Sequence, residues 1–261
     1  MFPTQFACWA LLVTFVAGHG YVQQIKMGNQ LVDTWNPYKD PQKKVTKITR
    51  KFPDNGPVTD GKFTTDAITC NYGIDGEPNN VPVNMTASVA SGSKLTFYWT
   101  DWQSDHPGPI MTYLASCGGS CKTFSGSTGN VWVKIHQAGY DASLNPPWAS
   151  KRLPTQNSVS HSNQETKFQY NTWSITLPSS IAPGEYLLRH EILGLQRTNN
   201  NGSGSTKLPT GIALPGAYQP DDKKSIFLEY RDISASNPYT APGGQVWGDK
   251  GWSDLQNMVA T

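Results

Sequence analysis

The sequence predicts an all-β fold: an immunoglobulin-like or fibronectin-III-like antiparallel β-sandwich with long loops. Three observations point there. Helical periodicity is scarce along the chain. Short runs rich in β-branched and aromatic residues recur, separated by Gly/Pro/Asn clusters. No internal repeat or linker divides the chain, so one domain accounts for residues 19–261. Many short strands with turns between them are the pattern of a sandwich.

In chain order the strand-like runs are "YVQQIKM" (21–27), "VNMTASV" (83–89), "KLTFYWT" (94–100), "IMTYLASC" (110–117), "VWVKIHQ" (131–137), "WSITLP" (173–178), "GEYLLRHEILGL" (184–195) and "SIFLEYRDI" (225–233). "Ser-Gly-Ser" sits as a turn between the second and third. Residues 33–64 and 141–166 carry little regular signal, and loops that long in a compact domain are often functional. "QVWGDKGWSDLQNMVAT" reads as a short tail.

Residues 1–18 read as a secretory signal peptide. Leu11 to Ala17 is mostly apolar and too short to span a bilayer, and Val16, Ala17 and Gly18 are small enough for cleavage. Cleavage after Gly18 makes His19 the first residue of an extracellular protein. The formal net charge is only +2, and charged residues make up 15% of the chain. That balance excludes neither solubility nor secretion, but it argues against nucleic acid or an anionic membrane as the partner. With 9 Trp and 11 Tyr, the composition suits a neutral polysaccharide better. A monomer is expected.

Cys8 leaves with the signal, so Cys70, Cys117 and Cys121 remain. In "SCGGSC" the glycines let Cys117 and Cys121 close a short disulfide loop, which secretion favours. A metal site there would need two more soft ligands, and none lies nearby. Cys70 is left unpaired. Asn84-Met-Thr and Asn201-Gly-Ser are glycosylation sequons.

Five histidines stand at positions 19, 106, 136, 161 and 190. At a free N-terminus His19 carries an α-amine and an imidazole, and the amine nitrogen and Nδ1 close a chelate on one metal ion. A third nitrogen from a distant histidine completes a T-shaped site, and an all-nitrogen planar set favours Cu(II). His106, in the stiff loop of "TDWQSDHPGPIMTYLASC", is the best third ligand, with Pro107 and Pro109 holding it. The alternative is a turn histidine at a hairpin corner. His190 reads as structural within its strand, and His136 and His161 as surface or loop residues. Asp101 and Asp105 flank the His106 loop as turn caps. No pair of carboxylates stands in a cleft-like context, which disfavours a hydrolase.

"HGYV" after the signal, "DHPGPIMTYLASC", "GNVWVKI", "WSITLPSSIAPGEYLLRHEI" and "YTAPGGQVW" together resemble the fungal lytic polysaccharide monooxygenases of auxiliary-activity family nine, formerly classed with the glycoside hydrolases. The likeness covers nearly the whole chain after residue 18. It implies one copper ion held by His19 and His106 on a flat, exposed face. It implies oxidative cleavage of cellulose or related β-glucans, with oxygen or hydrogen peroxide and an external electron donor. Tyr239 in "NPYTAPGG" and Tyr38 in "WNPYKDP" match positions where aromatics stack on sugar rings.

The pattern departs after "RHEILGLQ", which runs directly into "RTNNNGSGSTKLP". Against the family pattern, a segment of about one strand is missing. Gln196 stands where the family has a histidine beside the copper site. The neighbouring glutamine, the axial tyrosine and the cysteine partner of Cys70 have no counterpart. Losing preorganised donors of this kind costs about 10²–10³ in rate each. Three outcomes stay open: a weakened monooxygenase, a non-catalytic copper- or glucan-binding protein, or a truncated gene-model product.

Overall fold

The computed structural model describes residues 19–58, 62–73, 75–77, 81–103, 105–153, 171–195, 214, 216–218, 222–226 and 228–247. Seven strands form two antiparallel sheets. The first holds β1 (Val22–Met27), β2 (Gln30–Asp33), β3 (Lys94–Trp99) and β6 (Asn171–Thr176), in the order β2-β1-β3-β6. The second holds β4 (Ile110–Ser116), β5 (Trp132–Ala138) and β7 (Tyr186–Ile192), in the order β5-β4-β7. Two one-turn helices, α1 (Ala67–Cys70) and α2 (Ala149–Arg152), are set in the long loops. The expected sandwich is therefore the observed fold.

Alternation along the strands builds two cores. Leu95, Phe97, Trp99, Ile110, Leu114, Trp173 and Ile175 fill the space between the sheets. Met111, Tyr113, Ala115 and Trp132 face the other way, where Ile68, Leu214 and Tyr218 cover them. The second sheet is thus buried on both faces, which explains why all of Ile110–Ala115 is buried.

Two expected strands are absent, and one unexpected strand is present. Residues 83–89 form no strand: Met85 and Val89 are 42% and 37% exposed and find no sheet to join. The described part of 225–233 is turn and 3-10 helix. Asp222 accepts the N–H groups of Lys224 and Ser225, and Glu229 accepts that of Arg231, so local side chains satisfy the backbone that a ladder would otherwise use. β2 is short and exposed, and it pairs with β1 across Gly28-Asn29, where Gly28 adopts φ +57° as a tight hairpin requires.

A bulge in β5 overturns the reading of His136 as a surface or loop residue. Tyr113 pairs with Lys134 but Thr112 pairs with His136, so Ile135 is an extra residue. His136 thereby turns toward the inter-sheet core, where its Nε2 accepts the indole N–H of Trp173 at 3.1 Å. His190 is structural, as expected: it stacks on Phe97 at 3.8 Å and shares a 2.8 Å hydrogen bond with Thr112. Burial pushes the pKa of His136 down and that of His190 far down. Burial thus favours the neutral imidazoles in the folded state, most strongly at His190, whereas the unfolded chain takes up protons below about pH 6.5. The unfolded state then binds more protons, so stability falls as pH drops through that window. The melting temperature is expected to fall between pH 7 and 5. The slope should be shallower in His190→Asn, as scanning calorimetry across that range would show.

Lys134, on the opposite face, is 2% exposed. Its ammonium donates to Pro242 O at 2.6 Å, Gly244 O at 2.7 Å and Gln137 Oε1 at 2.7 Å. Desolvation lowers its pKa to about 8. Its main-chain oxygen accepts from Trp247 N at 2.7 Å, so one residue ties the "APGGQVW" segment to the sheet. Lys134→Met leaves the buried Pro242 carbonyl with only the longer 3.4 Å bond from the Tyr113 hydroxyl and removes the ammonium that ties Gly244 O to it. The expected loss is about 2–4 kcal/mol, read from denaturant midpoints.

Candidate metal centre

The amino-terminal end of the described chain lies on the β3–β4 connection. Tyr21 N donates to Thr100 Oγ1 at 3.0 Å, and Thr100 N donates to Tyr21 O at 2.9 Å. Between Tyr21 and His19 only glycine fits. A Cβ on Gly20 would lie 2.8 Å from Thr100 Oγ1 and 3.5 Å from the Trp102 ring. The chain at Gly20 therefore runs close against Thr100 and the Trp102 ring. His19 itself is half-buried, and its carbonyl accepts from Asn55 Nδ2 at 3.2 Å.

Trp102 also meets His106. Their rings stand edge to face with centroids 6.0 Å apart, and the indole N–H donates to His106 O at 3.2 Å. Ser150 Oγ, on α2, donates to the same carbonyl at 2.7 Å. The loop behind is rigid. Pro107, Gly108 and Pro109 are buried, and Leu193 and Leu195 donate their N–H groups to Pro109 O and Pro107 O. Thus His106 and Gly20, the residue after His19, both approach the Trp102 ring, although 87 positions of chain separate His19 from His106.

Asp105 has a role that the sequence reading missed. Beyond any capping of the turn, its Oδ1 lies 2.7 Å from His106 Nδ1. With Nδ1–H donating to this carboxylate, the ring's lone pair stands on Nε2. A carboxylate behind an imidazole fixes its tautomer and raises its basicity as a ligand. The motif "DH" was the available signal. The imidazole is 14% exposed and Asp105 72%, so Asp105 is the solvent-side partner.

The donor chemistry fits a copper ion: imidazole nitrogens, with an α-amine added where the chain begins at His19, are the set that Cu(II) prefers. Among the described residues no group of three or more His, Cys, Asp or Glu side chains comes together. A two-residue chelating site does not require one.

The other candidate residues fall in different places. Tyr38 is 56% exposed and belongs to this end of the molecule. Its hydroxyl donates to Asn55 Oδ1 at 2.8 Å, and Asn55 in turn holds His19 O. Its ring leans on Tyr21, which packs edge-on against Phe52. Tyr239 is packed instead of open. Its hydroxyl donates to Ser225 O at 2.8 Å, its ring meets Trp148 edge-on at 4.9 Å, and burial pushes its pKa well up. Cys117 and Cys121 form the expected disulfide, with Cα atoms 5.2 Å apart. Cys70 is a free thiol, and burial raises its pKa. Asn84 is exposed. Gln196, Asn201, His161 and residues 1–18 lie outside the described residues.

The profile of Auxiliary Activity family 9 (formerly GH61) matches residues 19–239. The chain belongs to that family. It is similar to AA9 family lytic polysaccharide monooxygenase A of Geotrichum candidum, at 36% identity over 249 residues, covering 88% of this chain and 76% of the relative. It is 34% identical to the monooxygenase A of Gloeophyllum trabeum over 259 residues, covering 90% of this chain and 74% of the relative. Monooxygenase C of Geotrichum candidum is 35% identical over 95% of this chain, but the match spans only 45% of that longer protein. Among solved structures, the glycoside hydrolase family 61 member Cel61B from Hypocrea jecorina superposes with a TM-score of 0.68 at 28% identity, covering 88% of this chain and all of the other. Among the described residues no helix is long and apolar enough to cross a membrane.

Proposed function

We propose that the chain is a secreted, copper-dependent monooxygenase acting on cellulose or related β-1,4-glucans. The observation that supports the reading is the approach of Gly20, next to His19, and of His106 to the same Trp102 ring, with Asp105 beside His106 Nδ1. His19, once freed from the leader, would contribute its amine and imidazole, and His106 its Nε2. Copper, when bound there, supplies the one-electron chemistry that oxidises a C–H bond beside the glycosidic linkage, using an external reductant and oxygen or hydrogen peroxide. Asp105 keeps the His106 lone pair pointed outward. Trp102 and Ser150 fix the backbone of His106. Tyr38 presents an exposed ring beside the amino terminus, suited to stacking on a sugar face.

The test is expression of the chain with a native His19 terminus, copper titration, and a search for oxidised oligosaccharides from cellulose with ascorbate. One-to-one binding with oxidised products is the expected result. Tight binding without products would instead favour a non-catalytic copper protein. That outcome would follow from the sequence expectation that the family's residues after "RHEI" have no counterpart beyond Gln196. Absence of stoichiometric binding overturns both readings.

A further inference from the structure

The loop after β2 concentrates positive charge. Of the 21 lysines and arginines in the chain, six stand within residues 39–51: Lys39, Lys43, Lys44, Lys47, Arg50 and Lys51. Asp40 is the single acid there. The rest of the chain holds 15 basic residues against 18 acidic ones, so the whole-chain balance of +2 conceals a local excess.

Three of the six cations are engaged within the fold. Arg50 is buried, and its Nη2 donates to Ser125 O at 2.6 Å. Lys51 Nζ lies over the Trp35 ring, 5.4 Å from its centroid. Lys47 Nζ lies 3.8 Å from the Asp33 carboxylate. Lys39, Lys43 and Lys44 differ: all three are exposed, and among the described residues none forms an ion pair. The acid beside them is turned inward. Asp40 is buried, and its Oδ2 accepts Asn36 N at 2.9 Å.

Local bonds order the backbone that presents these lysines. Asn36 Oδ1 accepts the N–H groups of Tyr38 and Lys39 at 3.0 and 3.1 Å. Lys43 N donates to Asp40 O at 2.9 Å, closing a turn. Trp35 ties the loop's two ends together: its N donates to Thr49 Oγ1 at 2.8 Å and its indole N–H to Phe52 O at 2.9 Å. The patch is also continuous with the candidate metal centre. The exposed Tyr38 adjoins Lys39, and its hydroxyl is held by Asn55, whose amide donates to His19 O.

We propose that Tyr38, Lys39, Lys43 and Lys44 form a site for polysaccharide that carries carboxylate groups. The substrate class that fits is a β-1,4-glucan bearing uronic-acid units. This rests on the reading of this end of the molecule as the polysaccharide-facing end. An open tyrosine ring offers its face to a sugar ring. Lysine ammoniums are compact charges on flexible stems, so they follow carboxylates spaced along a polymer without a fixed bidentate geometry. Turning Asp40 inward removes the one carboxylate of this loop that would repel such a chain. A nucleic acid fits less well, because the loop offers one open ring and no series of stacking platforms.

The test is binding by the full chain, leader removed and copper withheld, so that it reads neither metal nor turnover. Isothermal titration compares soluble β-1,4-glucan oligosaccharides with the same oligosaccharides oxidised at C6 to carboxylates. The carboxylated series should bind about 10-fold more tightly at low salt, each exposed ion pair being worth about 2-fold. The difference should vanish near 1 M salt, where the screening length is about 3 Å. The triple variant K39Q/K43Q/K44Q should lose the difference and keep its affinity for the neutral series. Tyr38→Ala should weaken both. Exposed lysines elsewhere supply the control: exchanging Lys94, Lys122 and Lys224 for glutamine removes the same charge and should change nothing. No preference for the carboxylated series overturns the proposal. So does an equal loss in the control triple, which would make net charge alone responsible. So does tighter binding of inorganic polyphosphate or single-stranded DNA than of the carboxylated glucan. A chain that prefers carboxylated glucan but yields no oxidised products overturns the monooxygenase reading and leaves this site standing.

Discussion

Replacing His106 by alanine is expected to remove oxidised products and to weaken copper binding by more than about 100-fold. Removing a group that merely orients a metal-bound histidine already costs about 10- to 100-fold, and this change deletes the ligand itself. The fold should survive. The scaffold holds His106 through its carbonyl, which accepts from Trp102 and Ser150, and alanine keeps that carbonyl. Asp105→Ala is the graded control. It frees Nδ1 without removing the imidazole, so affinity should fall by about 10- to 100-fold while some turnover remains. Isothermal titration with copper, paired with chromatography of the released sugars, reads both variants. Unchanged affinity in His106→Ala would sink the assignment of this ligand.

Gly108→Ala should damage the same site from behind. A Cβ at this position would lie 1.7 Å from Leu193 O and 2.9 Å from Leu193 C. Both are backbone atoms, so no rotamer change relieves the contact. Leu193 N–H is at the same time bonded to Pro109 O, so the two segments cannot part without losing that bond and the next one at Pro107. Overpacking of a tight core costs about 1–3 kcal/mol and sometimes more, and a backbone clash between two pinned segments belongs at the upper end. The loop must shift, and His106 shifts with it. Reduced denaturant midpoint together with weaker copper binding is the expected pair of results. A stable protein that has lost copper binding would still fit. A protein of normal stability and normal affinity would show that the close approach does not matter.

Much of this was legible in the amino-acid order. Six of the seven described strands overlap runs picked out by β-branched and aromatic content, four of them lying wholly within, because burial between or beneath sheets demands such residues. The histidines of the candidate centre were also legible. One follows an apolar stretch that reads as a leader, the other sits in a proline-stiffened loop, and both features are local. What failed was non-local. Residues 83–89 look like a strand, but no sheet edge is there to receive them. Asp105 looked like a turn cap because its contact with His106 depends on how the loop closes. Tyr239 and Tyr38 read alike as loop tyrosines. Only the fold distinguishes one packed on Trp148 from one standing open beside Asn55. The residues between Leu195 and Leu214, where the sequence reading expects a departure from the family pattern, lie outside the described residues apart from those two ends.

The bulge at Ile135 has a consequence beyond the burial of His136. A β-strand behaves as a counter with two states, and an inserted residue resets it. Upstream of the insertion, Trp132 and Lys134 belong to the outer face. Downstream, His136 belongs to the interior, although all three have even numbers. Deleting Ile135 would restore plain alternation, with Lys134 still opposite Tyr113 and His136 still opposite Thr112, so every face is kept. Two related chains that differ by one residue here cannot be aligned position by position through this strand. Residues beyond the insertion correspond only when shifted by one, so a change that looks conservative in a gap-free alignment would exchange a core residue for an outer one.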